Sequence, residues 1–319
     1  MDAAGYINHP SGFLACSSAN RQFHAAGADG FISYREQGNH WIAFGGVHSP
    51  AAQSAQLLRA FLEDVRRSSR RALFVQVPEH QVALFEAQGA TVNRLGSTFA
   101  VRLAGYTLKG TPKISLRNKI HRAERAGLQA AELGRDCPAS AALRSQIQSI
   151  SDEWLRRKGK KELAFMVGVT SDAHDRYRRT FAALDPAGNA VAFVTYVPAW
   201  GERTGYLHDL SRRRPEAPPG AMELINAFAI RRMQDEGVGH LHFGFTPFVM
   251  TGEEPASASS IMSRISSFLY RHGRVVYPAQ SQADYKRKWG SDLVTPEYVA
   301  GFPLSLAAVF ALLRLTRAL

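Results

Sequence analysis

Apolar residues recur along this chain with two periods, and the switches between them mark out its elements. Short runs of β type, rich in branched and aromatic residues, fall at 30–34, 41–47, 72–77 and 97–103. Between the second and third, Ala51–Arg67 places Leu57, Leu58, Phe61, Leu62 and Val65 on one side of a helix. Residues 77–90 predict another short helix, stopped by Gly89 in the usual C-terminal position. The helical spacing returns at 139–157 through Leu143, Ile147, Ile150 and Trp154. Two facing strands follow at 190–198 and 203–210, joined by the turn Ala199-Trp200-Gly201-Glu202. A Pro-rich loop then leads into a helix at 221–236, with Leu224, Ile225 and Phe228 inward, and a strand at 239–245.

Strand, strand, loop, helix, strand is the order in the core of the GNAT acyltransferase fold. The expectation is therefore an α/β (α+β) protein with tandem GNAT-like domains, mixed central sheets flanked by helices. An N-terminal unit at 1–135 would end in a basic helix, and a C-terminal catalytic unit at 136–319 would end in an amphipathic one. The basic helix, 113–128, has an inner stripe of Leu116, Ile120 and Ala123. Lys113, Arg117, Lys119, Arg122 and Arg125 must then radiate outward, against the single acid Glu124. They read as a polyphosphate contact or as a solvated face. The tail, 304–319, is apolar but short and carries Arg314 and Arg317, so it reads as a core-packed or lipid-facing helix.

Charge narrows the partner. The 319 residues hold 39 Lys and Arg against 27 Asp and Glu, net +12, and 31 of the cations are Arg. Arg forks grip phosphate and stack on bases, which points to nucleic acid, an anionic membrane or a phosphorylated substrate, unless the excess only reflects codon usage. Cys16 and Cys137 have no Cys or His at metal spacing, so neither a disulfide framework nor a Cys-based zinc site is expected, and a reducing cytoplasm is. No stretch resembles a signal peptide or a membrane span. His240 and His242 share one strand face without a third ligand, and are read as structural histidines.

The segment 208–248 carries a resemblance. It is similar to the signature block of the C-terminal aminoacyltransferase domain of the multiple peptide resistance factor, the phosphatidylglycerol lysyltransferase family. Asp209, Leu210, Arg212, Pro215, Ala217, Pro218, Gly220, Met222, Gly244 and Pro247 match its pattern. The basic helix at 108–128, the segment 150–165 and Ala283–Gly290 agree with further blocks in the same order. The resemblance implies transfer of an amino acid from aminoacyl-tRNA, as co-substrate and without another cofactor, to a hydroxyl or amine acceptor. That acceptor is a phosphatidylglycerol-type headgroup or, as in related stand-alone enzymes, a small metabolite. It implies a cytoplasmic protein, with peripheral contact at the inner face of an anionic membrane as one variant, since the multi-helix flippase half of the membrane-bound members is not seen.

Transfer from an activated ester needs alignment, proton movement and an oxyanion stabiliser. Asp209, at the end of a predicted central strand, and Arg212, three residues on, are expected beside the reacting ester, the bland alternative being a surface pair. A lysine of the 283–290 segment should join them. Lys288 is favoured over Lys286, and a solvated helix face is the alternative. Arg213 and Arg214 extend a triple-basic loop before a helix start, where Gly220 leaves a partial phosphate site. His208, Gly244 and Thr246 line the same strand ends as expected substrate contacts. Two further readings stay open: an acyl-CoA-dependent N-acyltransferase, disfavoured because Pro218 and Pro219 supply no N–H to a pyrophosphate, and a non-catalytic RNA- or membrane-binding module. Trp154, Tyr285 and Trp289 are read as core packing rather than as platforms for a terminal adenine.

Overall fold

A computed structural model describes residues 3–158, 175–272 and 279–316. The 159–165 part of the family-like segment and the last three residues of the tail, Arg317 among them, lie outside the described residues. The elements run α1 (Gly12–Ala15), β1 (Arg21–Ala25), β2 (Ala28–Gln37), β3 (His40–Phe44), α2 (Ala51–Arg67), β4 (Arg71–Pro78), α3 (Val82–Ala87) and β5 (Thr91–Arg102). They continue with α4 (Ile114–Arg125), β6 (Gln129–Glu132), α5 (Ala141–Lys158), β7 (Arg179–Leu184), β8 (Ala190–Ala199), β9 (Gly205–Arg213), α6 (Ala221–Asp235) and β10 (His240–Pro247). Last come α7 (Ser260–His272), α8 (Ala279–Arg287), β11 (Leu293–Phe302) and α9 (Leu306–Leu315).

Among the described residues eleven strands form one mixed sheet in the order β1-β2-β3-β4-β11-β5-β10-β9-β8-β7-β6. The same GNAT-like unit occurs twice. In each, an antiparallel meander leads to a strand, a crossover helix and a parallel partner: β3-α2-β4 in one, β9-α6-β10 in the other. The strand that follows each unit crosses over. β5 leaves its own β4 to lie between β11 and β10, while β11 inserts between β4 and β5. This reciprocal exchange leaves no sheet edge between the units and merges their cores through shared backbone hydrogen bonds.

Alternation along the strands feeds two layers. Tyr298 and Ala300 face the α2–α3 cluster with Phe61, Phe74 and Phe85, whereas Val299 faces the layer built by Phe13 of α1 and by Ala308 and Ala311 of α9. In the second unit, α4, α6 and α8 pack on Phe99, Val194, Tyr196 and Phe243, and α5 covers Phe193 and Leu210. The stripes predicted for the helices at 51–67 and 113–128 are buried throughout, Leu57, Leu58, Phe61, Leu62 and Val65, then Leu116, Ile120 and Ala123, whereas of the stripe at 139–157 Leu143 and Ile150 are buried and Ile147 and Trp154 half-buried. No described helix is long and apolar enough to cross a membrane.

Candidate functional site

β9 and β10 pair only from His240↔Gly205 to His242↔Leu207, and then part. A bulge between His242 and Gly244, with Gly244 at φ 77°, turns the rest of β10 toward β5. At this separation Lys286 enters from α8. Its Nζ donates to the carbonyl oxygens of Gly244 and Phe245, both at 2.8 Å, and lies 5.7 Å from the Phe99 ring centre. Lys286 is buried, and that burial pushes its ammonium down to about 7 against the opposing charge of Glu297. An ammonium has three donors, and two of them are held by the strand among the described residues.

Lys288, two residues further along the chain, does different work. It forms an ion pair with Glu223 at 2.8 Å and lies 4.0 Å from the Tyr285 ring centre. Glu223 sits in the first turn of α6 and also meets Lys119 at 3.3 Å. Burial opposes its ionisation, but the Lys288 hydrogen bond and charge, with that of Lys119, hold its carboxyl below the usual range. Gly220 caps α6 at φ 97°, and a Cβ there would run into the backbone carbonyl of Lys119. α4 thus closes on the start of α6, where the Lys119 carbonyl and the Glu223 carboxylate stand beside Pro218 and Pro219.

Asp209 lies where a β-bulge lets Asp209 and Leu210 face Thr195 of β8. Its carboxylate is held by Arg178, which also donates to Thr195 Oγ1 at 3.2 Å, and Thr195 Oγ1 accepts from the Leu210 amide at 3.0 Å. The pair is buried, with side-chain exposures of 8% for Arg178 and 1% for Asp209. Arg212 is buried too. It donates to Ser151 Oγ of α5 and lies 5.2 Å from the Trp154 ring centre. Arg212 and Arg213 lie in β9 rather than in the expected loop, because the strand runs on opposite Phe193 and Ala192; Arg213 reaches Ala217 O at 3.4 Å, and Arg214, just after the strand, pairs with Glu153 of α5 at 3.4 Å. Lys286 therefore lies at the β9–β10 separation, where its charge reaches His208, whereas Asp209 pairs with Arg178 beside β8, Arg212 points toward α5 and Lys288 toward α6.

His208 packs against Tyr196 and Phe243, and burial, with the Lys286 charge second, pushes its imidazole down to about 4. Its Nε2 and the Thr246 hydroxyl are buried without a hydrogen-bond partner among the described residues. Across the exchanged strands Glu297 accepts from Thr98 and faces His9 Nε2 at 3.3 Å. The Ser11 amide donates to His9 Nδ1 at 3.1 Å, which leaves the proton on Nε2, facing Glu297. His242 contacts Arg203 O at 2.8 Å and is pushed by burial to about 4, and no metal-ligating cluster occurs among the described residues. Trp289 is fully buried, stacked on Phe243 with ring centres 5.7 Å apart.

On α4 the five cations separate. Lys113 bends back over Tyr106 and Arg117 donates to Leu108 O at 2.6 Å and Gly110 O at 2.7 Å, while Lys119 serves Glu223. Arg122 and Arg125 are exposed, as is Lys119 beside its Glu223 partner. Sequence reasoning passed over Arg178, Glu223 and Glu297. An acid three residues past Gly220, in the first turn of a helix, is a signal that was there to use for Glu223. The other two depend on partners brought from distant strands.

The family described as "Phosphatidylglycerol lysyltransferase, C-terminal" matches residues 4–301. The chain belongs to this family. It is 27% identical over 234 residues to a phosphatidylglycerol lysyltransferase of Bacillus subtilis, covering 73% of this chain and 26% of that protein. It is 28% identical over 172 residues to the lysylphosphatidylglycerol biosynthesis bifunctional protein LysX of Mycobacterium ulcerans, covering 54% and 15%. The chain thus spans about a quarter of the first relative and less of the second. Its fold is shared with the C-terminal domain of a putative lysylphosphatidylglycerol synthetase from Agrobacterium fabrum, at TM-score 0.78 and 23% identity over 99% of this chain and 93% of that one. It is shared equally with L-PGS from Bacillus licheniformis, at TM-score 0.79 and 19% identity over 97% and 91%.

Proposed function

We propose that this chain is an aminoacyl-tRNA-dependent aminoacyltransferase whose acceptor is a hydroxyl of a phosphatidylglycerol-type headgroup. The observation that carries the reading is the buried Lys286 ammonium at the β9–β10 separation, in a chain of the phosphatidylglycerol lysyltransferase family. The acceptor hydroxyl attacks the ester carbonyl of the charged tRNA. A C–O bond forms to the acceptor, the C–O bond to the ribose breaks, and the acceptor's proton ends on the freed ribose hydroxyl. Lys286 stabilises the oxyanion between these steps, and Asp209, fixed by Arg178, orients the substrate's ammonium group. The relatives' names make lysine the first amino acid to test. The covered start of α6 favours this donor over acyl-CoA.

Labelled amino acids charged onto total tRNA are offered with phosphatidylglycerol vesicles and with small hydroxyl compounds. RNase-sensitive label in lipid is the expected result, and no product with any amino acid overturns the reading. On α4, Arg122→Glu with Arg125→Glu is expected to raise KM for charged tRNA about tenfold and to flatten its salt dependence. The melting temperature should hold, since both side chains are exposed. Unchanged KM at physiological salt would remove α4 from the tRNA contact.

A further inference from the structure

The helix α9 keeps two of its large side chains out of the core. Its small residues Ala308 and Ala311 are buried on the sheet layer with Phe13, Phe44 and Val299, while Leu306 and Phe310 turn away from the protein. Leu306 is 63% exposed and Phe310, one turn later, 48%. A helix that served only the core would bury the large side chains and expose the small ones. α9 is firmly held in this orientation. Ser305 Oγ accepts from the Ala308 amide at 3.2 Å, Thr316 Oγ1 donates back to Leu312 O at 3.0 Å, and Leu304, Leu312 and Leu315 reach the core layer from the sides.

Charge selects the occupant. From residue 298 to 319 the sequence holds Arg314 and Arg317 and no acidic residue. The Arg314 guanidinium lies 4.8 Å from the Phe310 ring centre, so apolar surface and cation are presented together, as at the interface of an anionic bilayer. The same layer adjoins the candidate site: Phe13 meets Tyr177 edge-on at 6.5 Å, next to the Arg178 that holds Asp209.

We propose that the outer face of α9, through Leu306, Phe310 and Arg314, docks on the surface of an anionic phospholipid bilayer. The proposal rests on the lipid-acceptor reading only for the choice of phosphatidylglycerol as the anionic lipid. The docked surface brings the lipid to the side of the sheet on which Asp209 meets Arg178.

The test is co-sedimentation of the whole chain with vesicles, without donor. Binding is expected to equimolar phosphatidylglycerol and phosphatidylcholine, weaker in high salt, and about tenfold weaker to phosphatidylcholine alone. The double variant Leu306→Asp, Phe310→Asp is expected to lose about tenfold in binding while its melting curve is unchanged, and Arg314→Glu to lose the salt dependence. Equal binding by wild type and double variant overturns the proposal. So does a concentration-dependent dimer, abolished by the double variant, in a protein that ignores vesicles. Transfer separates the two readings: the double variant should lose transfer to vesicle phosphatidylglycerol and keep it to a short-chain, water-dispersed form. Vesicle binding with no transfer to either form would leave the docking surface standing and refute the enzyme reading.

Discussion

Replacing Lys286 with Met is expected to lower kcat by about 10²–10³-fold with KM for charged tRNA nearly unchanged, the loss that follows removal of one oxyanion donor. The effect is large because the ammonium is preorganised: two of its donors are spent on Gly244 O and Phe245 O, which fixes the direction of the third. The pH dependence has a definite sign. The ammonium is present below about 7 and is lost as pH rises through that value, so initial rates, corrected for donor hydrolysis, should fall above neutrality in the wild type. Stability moves the other way. Between about 7 in the folded protein and about 10.4 in the unfolded chain, the unfolded state binds the extra proton, so folding gains stability as pH rises through this window. The Met variant lacks this gain, and the difference between the two melting curves should grow toward alkaline pH. An unchanged kcat in the variant would return the task to Lys288, whose partner Glu223 ties it to α6 instead.

How far the sequence led can be seen at individual elements. Ala51–Arg67 was readable to its ends because five apolar side chains repeat at helical spacing and pack inward. β11 was not. Its run Leu-Val-Thr-Pro-Glu-Tyr contains a proline and a carboxylate, which argue against a central strand. It is tolerated because β4 pairs with β11 only from Glu297 onward, so Pro296 has a strand neighbour on the β5 side alone. Glu297 in turn is buried with Thr98 and His9 as partners. The first half of β5, residues 91–96, was missed for a similar reason: Asn93 and Arg94 look like surface residues but meet Ser259, Ser263 and Glu254 from 160 residues or more away. The candidate site was legible as a set of residues and not as an arrangement. Lys286 stands near the end of one short helix and Lys288 one residue past it, and nothing in their spacing tells which one reaches the β10 bulge. The exchange of β5 and β11, which sets that geometry, depends on pairings between halves of the chain that no local pattern encodes.

Replacing Asp209 with Ala is expected to destabilise the protein by about 3–5 kcal/mol as well as to abolish transfer, because it removes the carboxylate facing a buried guanidinium. On its own that result says nothing about chemistry, since a structural pair would respond in the same way. The discriminating variant removes both charges. Arg178→Met with Asp209→Leu puts apolar groups where the ion pair was, and such exchanges are often neutral or stabilising. The two substitutions should therefore be strongly non-additive, with much of the single-variant loss in stability regained in the double. Transfer should not return, because the orienting carboxylate is still missing. Arg178→Lys is the intermediate test: it keeps a cation beside Asp209 but gives up the fork that joins Asp209 to Thr195 Oγ1. Its expected signature is a fall in kcat with most of the stability retained. If the apolar double variant both folds and transfers, Asp209 is a structural residue, and the ammonium-orienting role must pass to another carboxylate, with Glu297 the buried one nearest in charge to Lys286.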